Sequence, residues 1–426
     1  MPIKHYLSYL KSLPVQLIAC VVLSLLLGDY LGVTTIKTIY TASCVVKDVL
    51  IFVLPIIIFT YIFDALIGLD KKAPLLLAVI LIMVFLSNVV GVLVSGGVAS
   101  LMLPLLPFMS TSLQLSSTQT LDPYFNLALP SFLSPDTAMF IGIACGLSAS
   151  FLKIDHAKPV ATFLHKAVTL FLHKTFVPLL PVYVTGFVLK LHFEDSLSPL
   201  IRSYSQVFIL SISLIIVYLG LVYYVGSGLR FSRFLESIKN MLPAGVTGFS
   251  TMSSAATMPV TLEATEKNLK DPRFADLIIP TTANIHLLGD VLAIPLTGMA
   301  LLWFKTGVLP AFSDYLFFAV MFGIAKFSCA GVPGGGVLVI LPVLHKYLGL
   351  DQEMITLMTT LYILQDSIFT ASNVMGNGAF AMVVERVCRF FFGNGDDGED
   401  EELVTEKKPE CEPMVLEPCV RRVNER

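Results

Sequence analysis

The stretch Ser250–Pro259 decides the fold, and it reads Ser-Thr-Met-Ser-Ser-Ala-Ala-Thr-Met-Pro. A second polar stretch, Gly331–Gly336, reads Gly-Val-Pro-Gly-Gly-Gly. Both interrupt the most apolar half of the chain, and each precedes a segment of membrane length that we expect to be broken by Asn, His, Gly and Asp. Irregular backbone at membrane depth is tolerated only where it is buried in protein or lines a cavity. Paired interruptions of this kind indicate the substrate site of a membrane transporter.

The composition is that of an integral membrane protein. Of 426 residues, 55% are hydrophobic and 14% are charged, whereas a soluble domain carries about 25% charged residues. Several apolar runs reach the length of about 20 residues that a helix needs to cross a bilayer. The net charge of −3 gives no basic surface for nucleic acid. The seven cysteines are scattered without metal-ligand spacing, so we interpret them as small hydrophobic residues.

Hydropathy predicts an all-α membrane protein with eight transmembrane helices and two re-entrant helical hairpins. The predicted spans are 13–31, 46–69, 73–103, 125–153, 159–191, 204–227, 275–305 and 353–390. The hairpins are 232–266 and 314–349, one around each polar stretch. The second half repeats a unit of one hairpin and one span, and entry of the two units from opposite sides of the membrane would make an inverted repeat.

Lysine and arginine in short loops predict the orientation in the membrane. Lys71-Lys72, Lys153 and Arg230 follow the second, fourth and sixth spans. We therefore expect a multi-pass plasma (inner) membrane protein with both termini in the cytoplasm. Residues 393–426 are dense in charged residues and proline, which predicts a disordered cytoplasmic tail.

Span eight carries a polar stripe. Asp366, Thr370, Asn373 and Asn377 follow one another at intervals of four, three and four, so they share one helical face. Inside a membrane such a face should point to protein or to water. Asp366 is the candidate for binding a cation, for which a substrate ammonium group is suitable. The alternative is a carboxylate that pairs with another helix.

Other ionisable residues interrupt the apolar segments nearby. His286 and Asp290 lie one turn apart in span seven, a spacing at which their side chains can touch. An intramembrane His–Asp pair is able to carry protons, although a histidine is also a common structural hydrogen bonder. Lys326 precedes the glycine stretch; it is either a fixed charge inside the site or a side chain that snorkels to the interface.

The two polar stretches have a functional and a structural interpretation. The hydroxyls of Ser253 and Ser254, with the backbone N–H groups of a helix start, attract carboxylates; otherwise the serines merely cap a helix. The glycines of 331–336 let the backbone lie close to a ligand; otherwise they form a tight turn.

These residues resemble the dicarboxylate/amino acid:cation symporter family, the glutamate transporter homologues. Ser253–Thr261 is similar to the first hairpin signature of that family, serines followed by Thr-Leu-Pro-Val-Thr, and Ala330–Gly336 is similar to its second hairpin tip. The resemblance covers residues 12–390. It implies a secondary active symporter that takes up an amino acid or small dicarboxylate by alternating access, as a homotrimer in lipid. It implies no cofactor, and sodium or a proton as the coupling ion.

The resemblance also implies roles for individual residues. The expected substrate-binding residues are Ser253, Ser254, Gly331, Val332, Pro333, Gly334, Asp366, Phe369, Thr370 and Asn373. The expected ion-coupling residues are Ser87, Asn88, Asn284, His286, Asp290, Lys326, Asn373 and Asn377. Residues 1–231 would be mainly scaffold and trimerisation spans, with spans three and six moving with the transport core at 232–390.

Several residues depart from the pattern of the family. Its Asn-Met-Asp-Gly-Thr run is 286–290 here, with Leu288 at the carboxylate position, and its last Asp in span eight is Asn377. Lys326 aligns near a further sodium site. Losing carboxylates weakens a site for a hard cation, so we hypothesise that sodium coupling is reduced or replaced by protons. In members of the family that take acidic substrates, an arginine binds the side-chain carboxylate of the substrate, and Phe369 stands at that position here. We therefore expect glutamate and aspartate not to be the preferred substrates.

Two other functions use the same fold. The alternatives are an ion-permeation protein resembling a channel and a neutral amino acid exchanger. The sequence contains no hydrolase-like motif, so we do not expect an enzyme.

Overall fold

The computed structural model describes residues 13–67, 74–106, 121–127, 129–130, 133–152, 154, 156–194, 197–329, 331 and 333–392. Within these residues the chain is helical and has no β-strand. The helices are α1 Leu13–Leu27, α2 Val33–Ile67, α3 Pro74–Met102, α4 Pro135–Phe151, α5 Ala157–Phe171, α6 Val177–Phe193, α7 Leu197–Gly226, α8 Phe231–Thr251, α9 Ser254–Glu266, α10 Arg273–Thr282, α11 Leu288–Thr306, α12 Phe312–Ala325, α13 Gly335–Leu338, α14 Leu341–Tyr347 and α15 Gln352–Phe392. Met1–Glu385 form one compact unit and Arg386–Arg426 a second, of which the helical residues 386–392 are described.

The described helices are those of an integral membrane protein. Six of them are long and apolar enough to cross a bilayer, and these are Val33–Asp64, Val79–Leu105, Ala157–Phe193, Tyr204–Gly226, Leu288–Thr306 and Gln352–Phe390. On α7 the large apolar side chains of Ile209, Ile216 and Val217 are exposed. An apolar surface of this kind is stable where it contacts lipid rather than water.

Two helices begin where the sequence did not predict. α2 begins at Val33 rather than near residue 46, because the first turns carry threonines and a lysine that lower the hydropathy without breaking the helix. α4 begins at Pro135 rather than near residue 125. The Ser134 Oγ accepts a hydrogen bond from the Thr137 N–H at 3.2 Å, and proline suits the first helical position. The predicted tail at 393–426 and the Val332 position lie outside the described residues.

The polar residues break one of the two predicted segments and leave the other intact. Span seven is interrupted, since α10 ends at Thr282 and α11 begins at Leu288. Span eight is the continuous helix α15, so the predicted break there is wrong. The carboxylate of Asp366 and the amide of Asn373 bond to other segments, so they do not compete for the helix's own backbone.

Most of the packing among the described helices falls within two groups, which are joined where α6 meets α7, where α4 meets α14, and where α2 meets the turn Lys326–Ser328. α2 packs against α4, α5 and α6, and α1 packs against α6. In the other group, α11 packs against α3 and α7, α12 packs against α3 and α14, and α8 packs against α9. A π-helical turn at Leu172–Phe176 joins α5 to α6. α11 is enclosed by the other helices, and every residue from Leu288 to Leu301 is buried.

Candidate substrate and ion site

Two turns between helices meet at this site, and we call the turn between α8 and α9 the first tip and the turn between α12 and α13 the second tip. α8 ends at Thr251, Met252 adopts a left-handed conformation at φ 51°, and Ser253 is the N-cap of α9. The Ser253 Oγ accepts from the Ala256 N–H at 3.3 Å and donates to the Gly331 carbonyl at 2.6 Å. Ser253 therefore caps its own helix and joins the first tip to the second.

The second tip rests on the carboxylate of Asp366 in α15. Gly334 has φ +75°, a conformation that favours glycine, and its N–H donates to Asp366 Oδ2 at 2.6 Å. The hydroxyl of Thr370, one turn further along α15, donates to Asp366 Oδ1 at 3.2 Å. Asp366 is 3% exposed, and Pro333 is also buried. The side chain of Asp366 thus points into protein, as the polar stripe predicted.

A second buried carboxylate, Asp290, lies in the first turn of α11. Its Oδ2 accepts from the Lys326 ammonium at 2.8 Å. Its Oδ1 accepts from the Tyr362 hydroxyl and from the Asn373 side-chain amide, each at 3.0 Å. The Asn373 Oδ1 accepts from the backbone N–H groups of Gly289 at 2.7 Å and Asp290 at 3.2 Å, so one amide fixes the start of α11 to α15.

Lys326 does not snorkel, so that interpretation is wrong. Its side chain is 0% exposed, and its ammonium also donates to the Gly336 carbonyl at 3.1 Å. The ring of Phe322 lies 5.4 Å from the same ammonium. Lys326 therefore compensates the charge of Asp290. Among the described residues, no cationic side chain forms an ion pair within 4.0 Å of Asp366.

His286 belongs to a separate hydrogen-bonded group, and the predicted contact with Asp290 is wrong. The ring nitrogens of His286 lie 3.0 Å from Ser87 Oγ in α3 and 3.0 Å from Asn377 Oδ1 in α15. The ring stacks on Phe380 at 4.1 Å. The helical spacing that predicted the contact does not apply, because His286 precedes the start of α11 and its backbone is not helical with that of Asp290.

The remaining predicted residues lie around these two groups. Asn88 donates from Nδ2 to the Ile285 carbonyl at 2.9 Å in the break before α11. Ser254 and Phe369 are buried, and the Phe369 ring lies 5.4 Å from that of Tyr362. The Oδ1 of Asn284 is buried without a hydrogen-bond partner among the described residues.

Tyr362 is a part of the site that sequence reasoning missed, and Gly336 was named in the glycine stretch but not among the expected binding residues. Tyr362 lies one turn before Asp366, so extending the polar stripe by four residues would have found it. Gly336 contributes its carbonyl to Lys326, and a Cβ there would collide with Asp290 and Tyr362. Its absence of a side chain is therefore required by close packing, a reason that the sequence pattern does not reveal.

Buried polar tips that meet over a carboxylate, within a set of membrane-length apolar helices, define a membrane transporter rather than a soluble binding protein. The profile of the sodium:dicarboxylate symporter family matches residues 13–387, and the chain belongs to that family. The activity of this chain is therefore symport of an amino acid or small dicarboxylate with a cation.

Several transporters are similar to this chain. The serine/threonine transporter SstT of Acinetobacter baumannii strain AYE is 28% identical over 330 residues, which cover 71% of this chain and 80% of that protein. Excitatory amino acid transporter 1 of Ambystoma tigrinum is 30% identical over 176 residues, which are 40% of this chain and 32% of that protein. Human excitatory amino acid transporter 1 is 29% identical over 160 residues, 37% of this chain and 29% of that protein.

Proposed function

We propose that this symporter takes up a small neutral amino acid, such as serine or threonine. The observation that carries the proposal is the buried Asp366 carboxylate, which is bonded to neutral donors beside the contact between the tips. A buried carboxylate needs a compensating positive charge, and the ammonium group of an amino acid supplies one. The serine/threonine transporter among the relatives is consistent with this substrate class.

The carboxylate of the substrate would bind at the start of α9. Ser253 is the N-cap of that helix and Ser254 is its first residue, and both are buried. The N-terminus of a helix carries a partial positive charge and favours a carboxylate. Asn373 uses both amide atoms within the protein, so in this proposal it positions α11 and does not bind the substrate carboxylate directly.

Selectivity for a neutral side chain follows from the charges that are already paired. A second carboxylate would need its own cation. Lys326, the buried cation of the site, is bonded to Asp290, and Phe369 offers only an aromatic ring. Glutamate and aspartate would therefore bind with one carboxylate uncompensated.

Alternating access would move one group of helices against the other. In the proposal α1, α2, α4, α5 and α6 form the scaffold, and the helices around α11 form the transport core. The two hairpins would be re-entrant gates within an eight-span inverted-repeat architecture, and the scaffold would form a homotrimer. The protein would lie in an inner membrane, with both termini on its cytoplasmic side. Most helix contacts among the described residues fall within these two sets rather than between them, which supports this division.

Uptake into proteoliposomes tests the proposal. We expect radiolabelled L-serine to accumulate above its outside concentration under an inward sodium or proton gradient, and excess L-aspartate to compete poorly. Accumulation requires coupling, so ion flux without accumulated substrate would instead support the channel alternative. Exchange of internal for external serine without net uptake would support the exchanger. Tight L-aspartate binding that is lost in Asp366→Ala would contradict the assignment to neutral substrates.

A further inference from the structure

The Lys326 ammonium joins three separate pieces of backbone at the second hairpin. Lys326 follows the last residue of α12, and it reaches the Gly336 carbonyl on the other side of the tip at 3.1 Å. It also reaches the Asp290 carboxylate of α11 at 2.8 Å. One positive charge thereby holds the two arms of the tip to each other and to α11.

These partners are oxygen atoms of the kind that bind a hard cation. Sodium, like other hard ions, is held by carboxylate and carbonyl oxygens, and Asp290 and Gly336 supply one of each. The Lys326 ammonium already lies between them and is 0% exposed. A metal ion would have to enter beside an existing positive charge in a buried site, where repulsion is strong. This oxygen pair is therefore unsuited to sodium while Lys326 occupies it.

We propose that the Lys326 ammonium is a tethered cation that holds the second hairpin closed, so that closure of this tip needs no dissolved metal ion. The inference rests on the proposed role of this hairpin as a gate. It assigns the ammonium the bridging role that a bound ion would otherwise have at the same oxygens. Asp290 accepts two further hydrogen bonds, from Tyr362 and Asn373, which keep its carboxylate fixed when the tip opens.

Cys329 provides a reporter of tip closure. It lies three residues after Lys326, is 2% exposed, and its Sγ is 3.8 Å from the Gly336 carbonyl. Alkylation of its thiol therefore requires the tip to open. The full-length chain would carry serine in place of the other cysteines, which are Cys20, Cys44, Cys145, Cys388, Cys411 and Cys419.

The experiment measures the maleimide alkylation rate of Cys329 in sodium chloride and in choline chloride, without substrate. For the Lys326 protein we expect a slow rate that differs less than about twofold between the salts. In Lys326→Met, which keeps the length but not the charge, the rate should rise about tenfold or more in both salts, because a hydrogen bond to a charged group is lost. In Lys326→Ser, which leaves room for an ion beside Asp290, the rate should rise in choline and fall again in sodium.

Two controls separate closure from general stability. Lys305→Met removes the charge of another lysine, which pairs with Asp351 at 2.7 Å at an exposed position, and it should leave the alkylation rate unchanged. Lys326→Arg keeps a positive charge, so Cys329 should be alkylated as slowly as in the Lys326 protein. L-serine binding is measured on the same samples. Absence of serine binding with the expected alkylation pattern would refute the proposed substrate and leave the tethered cation in place.

Three results would overturn the inference. Fast alkylation of the Lys326 protein in choline that sodium slows would show that a dissolved ion closes the tip. A Lys326→Met protein as slow as the parent would show that the charge is not needed for closure. A Lys326→Ser protein that sodium does not slow would show that these oxygens do not act as a cation site.

Discussion

Replacing Asp366 with asparagine separates the proposed role in substrate binding from a role in folding. The carboxylate accepts hydrogen bonds from the Gly334 N–H at 2.6 Å and from the Thr370 hydroxyl at 3.2 Å. In Asp366→Asn the amide oxygen accepts from Gly334, and the amide nitrogen donates to the Thr370 oxygen, which is also an acceptor. Both contacts survive and only the charge is lost.

The magnitudes of the two effects differ strongly. With both hydrogen bonds retained, the free energy of unfolding should change by less than about 1 kcal/mol. Removing one partner of a buried charge pair with a ligand costs about 2–5 kcal/mol, which is about a 30- to 5,000-fold loss of affinity. Affinity for an amino acid should therefore fall by far more than stability does.

The assay is calorimetric titration of the purified protein with L-serine, alongside its unfolding midpoint with no ligand. The matched control is Asp314→Asn, which removes an exposed carboxylate from the first turn of α12 and should change neither quantity. The reasoning is refuted if Asp366→Asn binds L-serine within about threefold of the parent. It is also refuted if affinity falls only in proportion to a lost unfolding midpoint.

Three further predictions concern stability. Gly336→Ala should destabilise by about 1–3 kcal/mol in thermal unfolding, because its Cβ would collide with a carboxylate and a hydroxyl, whereas Gly97→Ala, with open space around it, should not. Glu385→Ala should lower the free energy of unfolding by about 1–3 kcal/mol, since this buried carboxylate accepts from two backbone N–H groups after α9, and Glu385→Gln should recover part of that loss. Burial raises the pKa of Asp351, but the hydrogen bond and charge of Lys305 together with the backbone N–H groups of Met354 and Glu353 outweigh it, and the pKa lies below its usual value. The pair therefore stabilises above about pH 4, and the contribution is lost as the pH falls through the lowered pKa. Lys305→Met should weaken that dependence without abolishing it, because the backbone N–H groups of Glu353 and Met354 still donate to Asp351. It should cost less than about 1 kcal/mol, since the pair is exposed. An acid titration followed by circular dichroism measures both effects.

The sequence predicted those parts of the fold that depend on local chemistry. Serines at a helix start and glycines at a turn located both tips, and α8 to α9 cover Phe231–Glu266 where 232–266 was expected. The break before α11 followed from Asn, His and Gly in an apolar run. Hydropathy failed at the start of α2, because a helix end with threonines is polar without being irregular.

The partners of the ionisable residues were not predictable in the same way. Helical spacing relates residues three or four apart, and it suggested a contact between His286 and Asp290. The partner of Asp290 is Lys326, 36 residues away on another helix. The partners of His286 are Ser87 and Asn377, which lie on two further helices. Only tertiary packing brings such residues together, and a single sequence carries no record of it.

The π-helical turn at Leu172–Phe176 has a consequence for which insertions and deletions the chain tolerates. Such a turn holds one residue more than the α-helix around it. Losing one residue here would convert the turn to regular helix and leave α5 and α6 in their present phases. The same loss in α15 between Tyr362 and Asn377 would turn one half of the polar stripe by about 100° relative to the other. Natural length variation should therefore accumulate at the first position and be purged from the second.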